Sequence, residues 1–251
     1  MTAYIIACTP RTGSWLLCDC LRQAGSAGLP GEYGTRQDTA TWQDFYGFRT
    51  HRQYFDSLIG LYASGNGVIG IKFMWWQFDA FGAEAATYLG APGPAFALLR
   101  RVIGPYRVLF LRRRDTTRQA VSWARAIQTN RWSRQAAEQG KPRPDADPSA
   151  DSCGAYDGRL VLDCWSRIRA HNRCWQDALS SACAEPYELW YEDLATDPVA
   201  GTLAFLDFLD IAPAAATFTP RLTRQADTLT EQWVQRARED LRAGCPTPAG
   251  D

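Results

Sequence analysis

The sequence predicts an α/β fold in which a mostly parallel central sheet is flanked by helices on both faces. Four short apolar runs carry that expectation: 4–8, 67–73, 107–111 and 187–191. Segments of helical period separate them, the alternation that builds parallel sheets. Their near-continuous apolar character marks strands covered on both sides. At 251 residues the chain reads as a single domain over 1–251.

The first strand, Tyr4-Ile5-Ile6-Ala7-Cys8, runs through a tight turn into a helix over about 13–24. A Gly-rich loop over 25–35 and an aromatic, mostly helical segment over 40–63 lead to the second strand, Gly67-Val68-Ile69-Gly70-Ile71-Lys72-Phe73, and a helix near 78–89. The third strand, Arg107-Val108-Leu109-Phe110-Leu111, enters a run of arginines, and Asp115 is placed to N-cap a helix through Gln128. Residues 133–155 are polar and rich in Pro, Gly and Asp, the composition of a mobile loop or lid. A long helix over 157–183, the fourth strand Tyr187-Glu188-Leu189-Trp190-Tyr191, and helices near 197–209 and 229–243 complete the order.

The 27 basic and 27 acidic residues balance, which argues against general nucleic-acid or membrane-surface binding. The cations are unevenly placed, however: seven arginines (100, 101, 107, 112, 113, 114, 118) stand against the single acid Asp115 between Arg100 and Arg118. Such a stretch points to a local anion site; the plainer reading is a solvated helix face. Lys72 and Lys141 are the only lysines, which draws attention to Lys72 on a buried strand. The eight cysteines show no metal-ligand spacing, and no metal is expected. Without a secretory signal or a stretch of membrane-spanning length, a reduced cytoplasmic setting is expected.

The segment Thr9-Pro10-Arg11-Thr12-Gly13-Ser14-Trp15 is the most informative. A strand, a turn carrying one cation and a helix N-terminus together make an anion cradle, because the first-turn N–H groups and the peptide dipoles both favour negative charge. Thr12 and Ser14 add hydroxyl donors, and Arg11 adds a forked cation. A nucleotide triphosphatase would need a Gly-Lys-Ser/Thr ending that the chain lacks, and a dinucleotide fingerprint would need three spaced glycines. An ordinary strand-to-helix turn remains the plain alternative. In parallel sheets ligands lie beyond the carboxyl ends of the strands, so the first three strands would bring Arg11–Ser14, Lys72 and Arg112–Arg114 to one edge.

Four segments, in order, resemble sulfotransferases that use 3′-phosphoadenosine-5′-phosphosulfate (PAPS). They are Tyr4 to Leu17, Gly70-Ile71-Lys72-Phe73-Met74-Trp75, Arg113 to Ala126, and Arg224-Gln225-Ala226-Asp227 with Trp233-Val234. Within that superfamily the pattern is most similar to the bacterial trehalose 2-sulfotransferase-like group of carbohydrate sulfotransferases. The resemblance implies a P-loop-like sheet and transfer of a sulfuryl group from PAPS to a hydroxyl of a carbohydrate or glycoconjugate. It assigns the 5′-phosphosulfate to Arg11, Thr12, Gly13 and Ser14, with Trp15 where the group has a small hydroxyl residue. It assigns the 3′-phosphate to Arg113 and Ser122; Arg114, which stands where the group often has proline, is the alternative by one position. Arg224 and Gln225 would close over the nucleotide.

The resemblance also implies that Glu32, on the loop after the first helix, is the general base, with His51 as runner-up. Arg11 would stabilise the leaving group, and Lys72 would assist the bridging oxygen or fix a loop. His171 reads as structural. Trp42, Tyr46, Tyr54, Trp75 and Trp76 would either stack on sugar faces or fill a Trp-rich core. The acceptor class is left at a small molecule or glycolipid, and a homodimer is expected by analogy of fold alone. The competing classes are a nucleotide- or sulfate-binding module without catalysis and a Mg²⁺-dependent phosphotransferase with a degenerate loop.

Overall fold

A computed structural model of the chain describes residues 2–33, 47, 51–130, 132, 155–215, 217–221 and 228–243. Trp42, Tyr46, Arg224, Gln225 and nearly all of the expected lid lie outside the described residues, as do the side chains of His51 and Tyr54. The chain divides into two compact units, Met1–Arg114 with His171–Arg221, and Asp115–Ala170 with Leu222–Asp251.

In chain order the elements are β1 (Thr2–Cys8), α1 (Ser14–Gln23), α2 (His51–Tyr62), β2 (Val68–Met74), α3 (Trp75–Leu89), α4 (Ala95–Ile103) and β3 (Tyr106–Arg112). Then follow α5 (Thr116–Thr129), α6 (Gly158–Ser181), β4 (Tyr187–Trp190), α7 (Tyr191–Thr196), α8 (Pro198–Phe208) and α9 (Thr228–Arg242). The four strands stand where the apolar runs predict them.

The first unit is built on a four-stranded sheet in the order β2-β1-β3-β4. All three pairings are parallel, with Ile6 opposite Lys72 and Leu109, and Leu109 opposite Tyr187. Alternate residues of β1 face opposite ways, as the two-residue period of a strand requires. Ala3, Ile5 and Ala7 join a core with Phe78 and Phe81 of α3, Phe96 and Leu99 of α4, and Trp175 of α6. Tyr4, Ile6 and Cys8 join a second core with Leu17 and Leu21 of α1, Leu194 of α7, and Phe205 and Leu206 of α8. The sheet is thus covered on both faces, which explains the continuous apolar runs.

Three helices differ from the sequence expectation. α4 was not anticipated: its nine residues follow the break Ala91-Pro92-Gly93-Pro94 and are ordered by burying Phe96, Leu98, Leu99 and Ile103. α3 begins at Trp75, directly after β2, rather than near residue 78. The short α7 starts at Tyr191, so β4 ends one residue early and the chain turns sharply at the strand's carboxyl end.

The second unit packs α5 against α9 with the first part of α6, around Val121, Trp123, Cys164, Ile168, Trp233 and Val234. Asp115 caps α5 as expected, its side chain accepting from the Arg118 N–H at 2.8 Å. Arg118, Ser122 and Arg125 share one face of α5 by their i, i+4, i+7 spacing. Arg118 is held by Glu231 at 2.7 Å, and Arg125 donates to the Thr230 hydroxyl.

Candidate functional site

The carboxyl ends of β1, β2, β3 and β4 form one edge of the first unit, and most of the candidate residues lie along it. The reversal of strand order falls beside β1, where α/β sheets open a crevice.

The turn after β1 is conformationally unusual. Arg11 has φ 64° and Gly13 φ 77°. A left-handed arginine costs on the order of 1–3 kcal/mol and persists only where its surroundings over-determine it. Here the Thr12 hydroxyl donates to the Thr9 carbonyl at 2.9 Å, and Arg113 donates through Nη1 to the Arg11 carbonyl at 3.1 Å. A Cβ at position 13 would lie 2.6 Å from the Tyr191 ring, so glycine there serves both the backbone hand and the close approach of α7. Gly13 is the N-cap of α1 and supplies no side-chain cap, which leaves the first-turn N–H groups of the helix directed at this edge. Thr12 and Ser14 are both buried within the turn.

The guanidinium of Arg113 lies 4.4 Å from the Tyr191 ring centroid and 4.0 Å from Glu192. Burial lowers the pKa of Arg11, and the neighbouring Arg113 charge lowers it further. Two cations that disfavour each other's charge form an arrangement that a bound anion relieves. Arg114 points elsewhere: it is exposed, makes a two-pronged pair with Asp193 at 2.8 and 2.7 Å, and stacks 5.1 Å from the Trp190 ring. Of the two arginines that the sequence left as alternatives, the structure therefore sets Arg113 beside the Arg11 turn and Arg114 at the surface.

Other members of the arginine run lie apart from that turn. Arg107 lies near the amino end of β3, bonded to Asp210 at 2.7 Å and to the Phe208 carbonyl. Arg100 is in the last turn of α4, over the Tyr106 ring. A seven-residue strand spans about 20 Å, enough to part cations that are close in sequence.

On the other side of β1, Lys72 is fully buried and forms an ion pair with Glu32. Burial is the strongest influence on Lys72 and would lower its pKa; the Glu32 carboxylate, with lesser help from Cys8 and Cys18, raises it on balance. The ammonium also lies 4.0 Å from the centroid of Trp15, so the tryptophan after the turn covers Lys72. Glu32 reaches this position because its loop runs alongside β2: Gly31 bridges Ile71, and the Lys72 N–H donates to the Gly31 carbonyl at 2.8 Å. Gln77 of α3 donates to the second Glu32 oxygen at 3.0 Å.

Sequence reasoning missed Gln77, Tyr191 and Glu192. Gln77 stands three residues beyond Met74 at a strand–helix junction, a capping-box position and the one signal available; the contacts of Tyr191 and Glu192 with the turn and with Arg113 are long-range. Trp75 is partly buried and packs against the first core, edge-on to Trp175 at 5.2 Å, whereas Trp76 is exposed with its ring 5.5 Å from that of His171. Among the described residues no group of three His, Cys, Asp or Glu side chains could hold a metal ion, and no helix is long and apolar enough to cross a membrane.

A family model described as Stf0 sulphotransferase matches residues 3–240. The chain belongs to the Stf0 sulphotransferase family. It is similar to proteins named trehalose 2-sulfotransferase from Mycobacterium tuberculosis (strain Erdman), 30% identical with 97% of each chain covered, and from Mycolicibacterium smegmatis, 29% identical with 98% of each covered. Solved structures similar to this Stf0 member include the sulfotransferase domain of the Synechococcus PCC 7002 olefin synthase, 14% identical with a TM-score of 0.49, covering 100% of this chain and 90% of that one. A sulfotransferase from Alicyclobacillus acidocaldarius is 12% identical with a TM-score of 0.48, covering 95% and 92%.

Proposed function

We propose that this Stf0 family member transfers a sulfuryl group from PAPS to a hydroxyl of a carbohydrate or glycoconjugate. The observation that carries the reading is the contact between a carboxylate and a buried ammonium, Glu32 and Lys72, on the strand next to the Arg11 turn. A base and a cation are thereby held beside a cradle suited to a phosphosulfate, as in-line transfer to an alcohol requires.

The residues present fit the donor. The left-handed turn, the first-turn N–H groups of α1 and the neighbouring like charges of Arg11 and Arg113 suit a multiply charged anion. PAPS supplies the activated sulfuryl group and departs as adenosine 3′,5′-bisphosphate. Arg11, Thr12, Gly13 and Ser14 would bind its 5′ end, and Arg11 would stabilise charge on the departing oxygen. Arg113 would hold the 3′-phosphate, with Ser122 assigned to it by the family resemblance. Glu32 would take the acceptor's proton. Lys72 would balance the carboxylate before that step and offer its charge to the bridging oxygen during it. The two relatives' names support a disaccharide as the first acceptor to try.

Calorimetry with adenosine 3′,5′-bisphosphate, without metal, tests the donor: binding stronger than that of ATP–Mg²⁺ is expected, and the reverse preference would move the protein to phosphoryl transfer. Glu32→Gln tests the base. It should retain bisphosphate affinity within twofold and lose about 10²–10⁴-fold in turnover with PAPS and trehalose or related disaccharides. Glutamine is preferred to alanine because it keeps the side-chain volume and an amide oxygen that can accept from the buried Lys72 ammonium, although it removes the neutralising charge. Undiminished turnover would remove Glu32 from the chemistry.

A further inference from the structure

We propose that Gln77 is the positioning residue of the Glu32 carboxylate, fixing its orientation and favouring its ionised form; the catalytic importance of this rests on Glu32 being the base. Gln77 lies in the first turn of α3 and is buried. Its Oε1 accepts from the Met74 N–H at 2.8 Å, which caps the helix, and its Nε2 donates to Glu32 Oε2 at 3.0 Å. A backbone N–H can only donate, so the amide oxygen must face Met74 and the amide nitrogen must face Glu32. The side chain cannot flip without losing both bonds. Gln77 therefore ties a loop carboxylate to the junction of β2 and α3.

Each Glu32 oxygen thus meets a different donor, Lys72 at Oε1 and Gln77 at Oε2. The two donors act differently. Lys72 supplies charge, which holds the carboxylate ionised but also lowers its appetite for a proton. Gln77 supplies direction and a neutral hydrogen bond that favours the ionised form. Among the described residues, other groups near Glu32 include Cys8 of β1, Cys18 of α1 and Arg22 of α1, whose Nη2 donates to the Pro30 carbonyl at 2.6 Å. Burial pushes the Cys8 and Cys18 thiols up to about 12 and about 11, so both are uncharged at neutral pH.

Gln77→Glu separates the two bonds. The new carboxylate still accepts from the Met74 N–H but replaces the donor to Glu32 with a like charge. In protein labelled with ¹³C-carboxyl glutamate, the Glu32 resonance is identified by its disappearance in Glu32→Gln. Its titration midpoint should move up by about one pH unit or more in Gln77→Glu, and by less in Gln77→Met, which loses both bonds but adds no charge. Adenosine 3′,5′-bisphosphate affinity should stay within twofold in both, which reports an intact cradle. A Glu32 midpoint unchanged in both variants would overturn the proposal. If the midpoint moves while Glu32→Gln still transfers sulfuryl groups, Gln77's hold on Glu32 stands and the base assignment fails.

Discussion

Arg107 and Arg113 are six positions apart, on either side of the apolar stretch of β3, and their surroundings are opposite. The Arg107 side chain is 46% exposed and lies along the surface, bonded to Asp210 and the Phe208 carbonyl. The Arg113 side chain is 7% exposed, stacked on Tyr191 and bonded to the backbone of the Arg11 turn. Composition cannot separate the two. Strand direction does, because a parallel sheet delivers only its carboxyl ends to the ligand edge. A run of cations in sequence becomes a site only for those members that the strand carries to that edge.

That contrast can be broken experimentally. The largest effect is expected for Arg113→Ala, which should weaken adenosine 3′,5′-bisphosphate about 10–100-fold by calorimetry, the worth of one or more charge-assisted hydrogen bonds. Unaltered affinity would put the anion site away from the carboxyl edge. Gly13→Ala should come next: with φ at 77° and the Tyr191 ring in the way of a Cβ, it should lose about 1–2 kcal/mol in a denaturant titration and weaken bisphosphate binding as α7 is displaced. A variant as stable as the parent would show that the turn tolerates a side chain and is not pressed against α7. Arg107→Ala should do least, leaving bisphosphate affinity within twofold and costing no more than about 1 kcal/mol of stability, since its ion pair is exposed. A loss comparable to that of Arg113→Ala would mean that net charge near the sheet, rather than position at its edge, governs binding.

The strands were legible because burial on both faces writes itself as continuous apolar runs, and the turn because Arg11, Thr12, Gly13 and Ser14 are consecutive. α4 was not, since its order comes from Phe96 and Leu99 packing under the sheet, with no side-chain cap to announce it. α7 was hidden by Trp190-Tyr191, which reads as strand until the chain turns to press Tyr191 against Gly13. Glu32 and Lys72 could each be picked out, but their meeting could not. It depends on a loop docking along β2, forty residues away in sequence. Gln77 drew no attention in the sequence because its bond to Glu32 joins residues forty-five positions apart.

The Gly31–Ile71 bridge has a bearing beyond chemistry. Among the described residues β2 is the outermost strand on its side of the sheet, and an uncovered strand edge is a template for pairing with other chains. The segment that brings Glu32 into place lies along that border, taking up the Lys72 N–H that a foreign strand would otherwise seek. One short loop thus covers part of the β2 edge while carrying Glu32 to Lys72, so the shielding of the edge and the buried ion pair depend on the same few residues.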